Sequence, residues 1–190
     1  KQGNGEYRHD HPVYASMIYN LDRCVGRIIN TLNSLGIKDE TIIVFTSDNG
    51  GLTLRDITDN HPLRAGKGSA YEGGVRVPLL IRWPGVTEGG TISEEPVSTI
   101  DFFPTFIESC STQTEIDENI DGKNILDILK NPENNIDRNE LFWHYPHYHP
   151  GGASPYSAVR SGDWRLIKFY EENRLELYNL KEDIVETQNI

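Results

Sequence analysis

Basic charge is scarce in this chain, and cysteine and long apolar runs are scarcer still. Against 29 aspartates and glutamates stand 18 lysines and arginines, so the 190 residues carry a net charge of −11. The acid is concentrated between Glu108 and Glu140. Non-specific nucleic-acid binding needs a basic surface, and this balance argues against it. It does not exclude an anionic substrate, because one well-placed cation can hold one anion locally. No apolar stretch approaches the length of a membrane span. No targeting segment is visible, an absence that carries no weight in a chain beginning at Lys1 rather than Met. Two cysteines, Cys24 and Cys110, do not make a disulfide framework and read as buried thiols. No internal repeat is evident.

What is present suits a soluble globular protein with one core, or a core plus a small appendage. The apolar share is 36% and the mean hydropathy is −0.54. Asp10 precedes Pro12, a plausible helix cap and first-turn proline. Tyr14, Ile18, Leu21, Val25, Ile28, Leu32 and Leu35 recur in steps of four and three, and Gly36 follows. That spacing predicts an amphipathic helix over roughly 12–35. Thr41–Thr46 and Val77–Trp83 are short apolar runs that read as strands buried on both faces of a mostly parallel sheet. Between them lies a polar, glycine-rich connection, Asp48–Arg76, of a length that is usually functional or disordered. A short strand is expected near Ile92, a helix over about 99–109 and another over 125–130. The stretch NPENNIDRN, 131–139, reads as a solvated linker. After it LFWHY, SAVRSG, WRLIKFY and LELYNL alternate in short segments, the pattern of a small antiparallel sheet. The expected organisation is an α/β domain over 1–135 and a small subdomain over 136–190.

Two glycine-rich stretches carry candidate chemistry. SDNGG, Ser47–Gly51, closes the first strand. Asp48 and Asn49 offer hard oxygen donors, which suit Ca²⁺ or Mg²⁺ rather than Zn²⁺. They sit where ligands gather in parallel sheets, beyond the carboxyl end of a strand. The same residues are also those of ordinary turns. In the second stretch, PLRAGKGSAYEGGVRVP, Lys67 stands between Gly66 and Gly68. Its ammonium can approach a bound anion without crowding, or simply be a solvated loop lysine. Glu72 and Arg76 read as a structural ion pair.

Together, and in this order, these stretches are more specific than either alone. With the helix YASMIYNLDRCVGRIINTLNSLG and the later STIDFFPTFIE, they resemble the carboxyl-terminal half of the type I sulfatases, members of the alkaline-phosphatase-like superfamily. The resemblance is strongest over 12–109 and returns at FWHYPHYH and over SAVRSGDWRLIKFYE and LELYNL. It implies an α/β/α sandwich with a small antiparallel carboxyl-terminal subdomain. It implies that Asp48 and Asn49 are two ligands of a Ca²⁺ ion that holds the sulfate group, and that Lys67 contacts the sulfate oxygens. It implies a sulfated sugar or polysaccharide as substrate and a periplasmic or secreted location.

The departures are as informative. The family's nucleophile is a formylglycine made from the Cys or Ser of a C/S-x-P-x-R motif. Cys24 opens CVGR and Cys110 opens CSTQ, so neither fits. The family's early pair of aspartates is absent, and His9 and His11 align with the helix entry rather than with a catalytic histidine. The expectation is a fragment, inactive alone, prone to self-associate through an exposed sheet edge beside Ile42, Val44, Leu80 or Val25. Two alternatives remain, a phosphodiesterase or phosphonate-monoester hydrolase of the same superfamily, and a non-catalytic module. In WHYPHYH, His144 and His147 are candidate sugar contacts beside readings as packing residues or metal ligands.

Overall fold

The computed structural model describes residues 11–53, 57–110 and 119–190. Asp10 and His9 lie outside the described residues. The chain divides into two compact units. One holds residues 1–38, 45–80 and 140–190, the other 39–44 and 81–139.

In the first unit, helix α1 spans Pro12–Ser34. Pro12 occupies the first turn, where a missing N–H costs nothing, and His11 Nδ1 accepts the Tyr14 N–H at 3.3 Å. Gly36 (φ 72) ends the helix in a left-handed turn, and Ile37 N–H reaches back to Leu32 O at 3.1 Å. No residue of α1 is buried. Met17, Ile18, Leu21 and Ile28 are exposed on it. Cys24 is free and exposed, as is Cys110, which corrects the reading of both as buried thiols. Cys24 lies beside the apolar stripe of α1 rather than on it, and Cys110 follows the last residue of its helix.

Strands β1 (Ile43–Thr46) and β2 (Leu79–Arg82) form a two-stranded sheet. The expected burial on both faces is not met. Phe45 is 38% exposed and Leu80 59%. Each strand has one partner among the described residues. A strand with one neighbour cannot be enclosed as an interior strand of a wide parallel sheet is.

Strands β3 (Glu140–Tyr145), β4 (Tyr156–Ser161), β5 (Trp164–Phe169) and β6 (Arg174–Asn179) make an antiparallel meander in sequence order. Ser161 pairs with Trp164 across a two-residue turn in which Gly162 takes φ 55, a conformation that favours glycine. Tyr156, Ala158, Ile167, Phe169, Tyr178 and Leu180 form the core of this unit with Ala70 and Ala153. Burying each large apolar side chain there contributes about 1.5–3 kcal/mol. Along β5 the buried positions are Arg165, Ile167 and Phe169, so an arginine takes a core position.

The second unit is built around α3 (Phe102–Ser109) and α4 (Leu126–Lys130). A 3-10 turn, Thr99–Asp101, leads into α3, with Ser98 and Asp101 exchanging capping hydrogen bonds. Phe106 lies between Phe102, on which it stacks, and Trp83, to which it is tilted, with ring centroids 5.9 Å apart in each pair. Asp101 is fully buried and forms a two-pronged ion pair with Arg138, at 2.7 and 2.9 Å. Residues 131–139 are therefore more than a solvated linker, because Arg138 anchors them to the helix entry. Ile92 is 78% exposed and forms no strand, and no strand among the described residues pairs with it.

Candidate functional site

Both glycine-rich stretches lie in the first unit, and backbone hydrogen bonds join them. After β1 the chain turns at once. Ser47 Oγ donates to Asn49 O at 2.8 Å, and Asn49 Nδ2 donates to Gly50 O at 2.9 Å. Asp48 is exposed. Gly50 is buried, and its N–H donates to Gly74 O at 3.0 Å. A Cβ at Gly50 would sit 1.7 Å from Gly73 O, so only glycine allows this approach.

The Gly66–Gly68 turn rests directly on this one. Lys67 N–H donates to Gly51 O at 3.0 Å, and its side chain is exposed. Asn60 ties the two turns from a third side. Its Oδ1 accepts the Gly51 N–H at 3.1 Å, while Nδ2 donates to Gly51 O at 3.0 Å and to Ala65 O at 2.9 Å. The structure thus brings the loops of Asp48, Asn49 and Lys67 together. Asn60 was not singled out in the sequence, where it is one polar residue in a polar loop.

His144 and His147 take other positions. His144 Nδ1 is 2.8 Å from Ser157 Oγ on the exposed face of the sheet, and its ring meets Tyr170 edge-on at 6.1 Å. His147 is exposed and stands edge-on to Tyr145 at 5.4 Å. His149 is the histidine that meets the lysine turn. Gly68 has φ 76, and a Cβ there would fall 1.8 Å from His149 Nδ1. Ala153 N–H donates to Gly68 O at 2.9 Å, closing the contact. Gly151 N–H donates to His149 Nδ1 at 2.9 Å, so this nitrogen accepts and a neutral ring carries its proton on Nε2. The glycines after HYHP were the signal, since they let the loop fold back.

Behind these turns lies a buried charge cluster. Helix α2, Glu72–Val75, presents Glu72 to Arg165 of β5. Arg165 is fully buried, donating to Glu72 Oε1 and to Ala70 O, both at 2.6 Å. Its guanidinium also lies 4.8 Å from the Trp143 ring centroid. Arg76 pairs with Glu72 as expected, but at 3.8 Å, the longest of three arginine contacts to that carboxylate. Glu186, also fully buried, accepts the Glu72 N–H at 2.8 Å and lies 3.4 Å from Arg165 Nε. Burial raises its carboxyl pKa to about 7, against the pull of Arg165 and Arg64.

A sulfatase family model matches residues 1–110, and a model of the carboxyl-terminal part of N-sulphoglucosamine sulphohydrolase matches residues 66–190. This chain belongs to the sulfatase family. A sulfatase of Formosa agariphila is 39% identical over 96% of this chain, which spans 36% of that protein. Human steryl-sulfatase is 33% identical over 85% of the chain, which spans 29% of it. The crystal structure of Ps i-CgsB in complex with k-i-k-neocarrahexaose superposes with a TM-score of 0.81 at 33% identity, covering 98% of this chain and 40% of that one. BT4656 in complex with its substrate D-glucosamine-2-N,6-O-disulfate gives 0.76 at 31% identity, covering 91% and 34%. The fold is the alkaline-phosphatase-like α/β fold of these neighbours, with the four-stranded antiparallel sheet at its carboxyl-terminal side. Neither the phosphodiesterase reading nor the non-catalytic reading is favoured by these relatives. No helix among the described residues is long and apolar enough to cross a membrane.

Proposed function

We propose that this sulfatase-family chain is the carboxyl-terminal part of an enzyme that hydrolyses sulfate esters on a sulfated sugar. One observation carries the reading: the DNGG and GKG turns are bonded to each other through Lys67 N–H and Gly51 O at 3.0 Å. Two adjacent oxygen-donor side chains and one exposed ammonium are thereby presented from a single backbone platform. BT4656 bound to its disulfated glucosamine substrate supports a sugar as the sulfate carrier.

Asp48 and Asn49 fit Ca²⁺ as part of its ligand set. The donors are a carboxylate and a carboxamide oxygen, both hard, while Ca²⁺ takes about 6–8 oxygens, so further ligands must come from elsewhere in the protein. No cluster of three or more His, Cys, Asp or Glu among the described residues could hold a metal. Bound there, Ca²⁺ supplies positive charge to the sulfate oxygens. Lys67 orients the sulfate and offsets charge that develops as the ester bond breaks. Its flanking glycines let the turn pack against Gly51 O and the His149 ring, which fixes where the side chain starts. The formylglycine nucleophile belongs to sequence outside this chain, since neither cysteine opens the required motif. His144 and His147 contribute sugar contacts from the exposed edge of the small sheet.

Calorimetric titration of the full-length protein with Ca²⁺ tests the metal half-site. Asp48→Ala is expected to weaken binding by at least the ~10–100-fold seen for loss of outer-shell partners. Unchanged affinity would remove Asp48 from the site. The isolated chain is expected to self-associate through α1, Ile42 and Leu80, whose apolar side chains are exposed. Light scattering of dilute chain checks this, and a monomer with a cooperative melt would contradict it. A periplasmic or secreted location is proposed together with this reading, on the availability of Ca²⁺ there. Fractionation of the source cells tests it.

A further inference from the structure

Glu186 lies in the segment after β6, far along the sequence from Lys67. That segment is folded back on itself. The Asp183 carboxylate accepts the Thr187 and Gln188 N–H groups, both at 2.7 Å, and Glu186 takes a left-handed backbone, φ 53. A non-glycine residue holds that conformation only when its surroundings impose it. Here the result is a fully buried carboxylate aimed at the start of α2.

Its contacts reach both flanks of the lysine turn. Glu186 Oε2 accepts the Glu72 N–H, the first of α2. Glu186 O accepts from Arg64 at 2.5 Å. Arg64 in turn donates to Tyr178 Oη at 3.0 Å, lies 3.7 Å from the Tyr71 ring centroid, and accepts the Gly73 N–H on its own carbonyl. Arg64 and Glu72 bracket residues 65–71. Ala65 and Gly74 within or beside that stretch hold Asn60 and Gly50 of the metal-side turn. Three atoms at the centre, Glu72 Oε2, Arg165 Nε and Glu186 Oε1, are buried and make no hydrogen bond among the described residues, being held by longer ion-pair contacts of 3.4 Å from Arg165 Nε to Glu186 Oε1 and 3.7 Å from Arg160 to Glu72 Oε2. A buried polar network left partly unsatisfied costs stability. Apolar packing alone would serve a purely structural purpose more cheaply.

We propose that Glu186 is a positioning residue for the sulfate-contact turn, holding Lys67 in register with Asp48 and Asn49 by clamping Glu72 and Arg64 from behind. The proposal rests on the reading of Lys67 as the sulfate contact. The clamp is sensitive to pH. The groups facing Glu186 are Arg165 of β5, Glu72 of α2, and Arg64 and Tyr71 of the loop, with Arg76, Arg160 and Tyr178 of β6 one contact further out and Glu176 beyond Tyr178. In place, the carboxyl titrates near 7, above its ordinary 4.5. The docked segment therefore holds a proton that a released segment gives up. Docking is fully favoured below about pH 4.5 and weakens as pH rises through about 7.

The test uses the full-length protein and two variants. Glu186→Gln keeps an acceptor for the Glu72 N–H and stays neutral, and Glu186→Ala loses the acceptor. Hydrogen exchange is followed in peptides carrying the Lys67 and Gly73 amides, corrected for intrinsic rate, from pH 5 to 8. Turnover of a small aryl sulfate is measured alongside. In the wild type, protection is expected to fall with a midpoint near 7. In Glu186→Gln the profile should be flat and protection retained. Glu186→Ala should lose protection throughout and lower kcat by about 10–100-fold with less change in KM, the signature of a displaced group. A folded Glu186→Ala with wild-type exchange and kcat overturns the proposal. So does a Glu186→Gln that keeps the wild-type pH step, which decides the matter if the alanine variant does not fold. If the wild type turns over no sulfate ester, the functional reading fails, and the exchange data alone judge the clamp.

Discussion

Lys67→Ala in the full-length protein is expected to lower kcat for sulfate-ester hydrolysis by about 10²–10³, the cost of losing one positioned electrostatic donor. The melting temperature should barely move, because the Lys67 side chain is exposed and surface substitutions of this kind stay within about 0.5 kcal/mol. The backbone explains the separation of the two effects. What joins the turn to the Asp48–Asn49 loop is the Lys67 N–H to Gly51 O bond, and alanine keeps that N–H. The substitution therefore removes the ammonium and leaves the platform. Lys67→Arg should recover little, since a planar guanidinium is not a substitute for a compact ammonium at a tight site. Steady-state kinetics with an aryl sulfate and a thermal melt check both halves of the expectation. Near-normal turnover by a folded variant would show that Lys67 does not face the reacting group.

Arg165→Met should have the largest effect on stability, about 3–5 kcal/mol, because it strands buried carboxylates without their cation. Arg165 touches Glu72 at 2.6 Å, and Glu186 is 3.4 Å from its Nε. Arg160 and Arg76 also approach Glu72, but only to 3.7 and 3.8 Å and from less buried positions. Adding Glu72→Gln and Glu186→Gln to Arg165→Met should restore much of the loss, since the desolvated charges vanish together. Denaturant unfolding of the single and triple variants measures this. Equal destabilisation of both would mean that the arginine acts by packing against Trp143 and not by charge. The single variant should also become less destabilised as pH falls. Arg165 holds the Glu186 carboxyl down to about 7, so without it the group is pushed higher, and protonating it as pH falls towards 7 removes one of the two stranded charges.

The chemistry of the candidate site is proposed from residue types. Asp48 and Asn49 after a β-branched run, then a lysine between glycines, define a chemistry of hard oxygen donors and one ammonium. Glycine identity carried more than turn formation. At Gly50, a buried position, a side chain would strike Gly73 O, so the two loops can touch only there without one. The supporting residues were not readable. Asn60 looks like any loop asparagine, yet its carboxamide reads both turns at once. His149 meets the lysine turn because of how the loop folds back, a matter of glycine placement rather than of histidine spacing.

The periodic elements were determined by the sequence itself. The stripe of α1, its proline entry and glycine exit, and the alternation of the four late strands follow from local geometry, in which each residue's face is set by 3.6- or 2-residue repeats. Tertiary structure decided what those repeats cannot encode. In WRLIKF each face carries two apolar residues and one cation, Trp164, Leu166 and Lys168 against Arg165, Ile167 and Phe169, so the alternation is compatible with either face inward. The fold buries Arg165 and leaves Trp164 at 45% and Leu166 at 37% exposure. An arginine is buried only when carboxylates meet it, and those come from Glu72 and Glu186, 93 residues before it and 21 after. Pairing across such distances has no local signature, because the energy that selects it is electrostatic, arises only on desolvation, and exists only once the chain has folded.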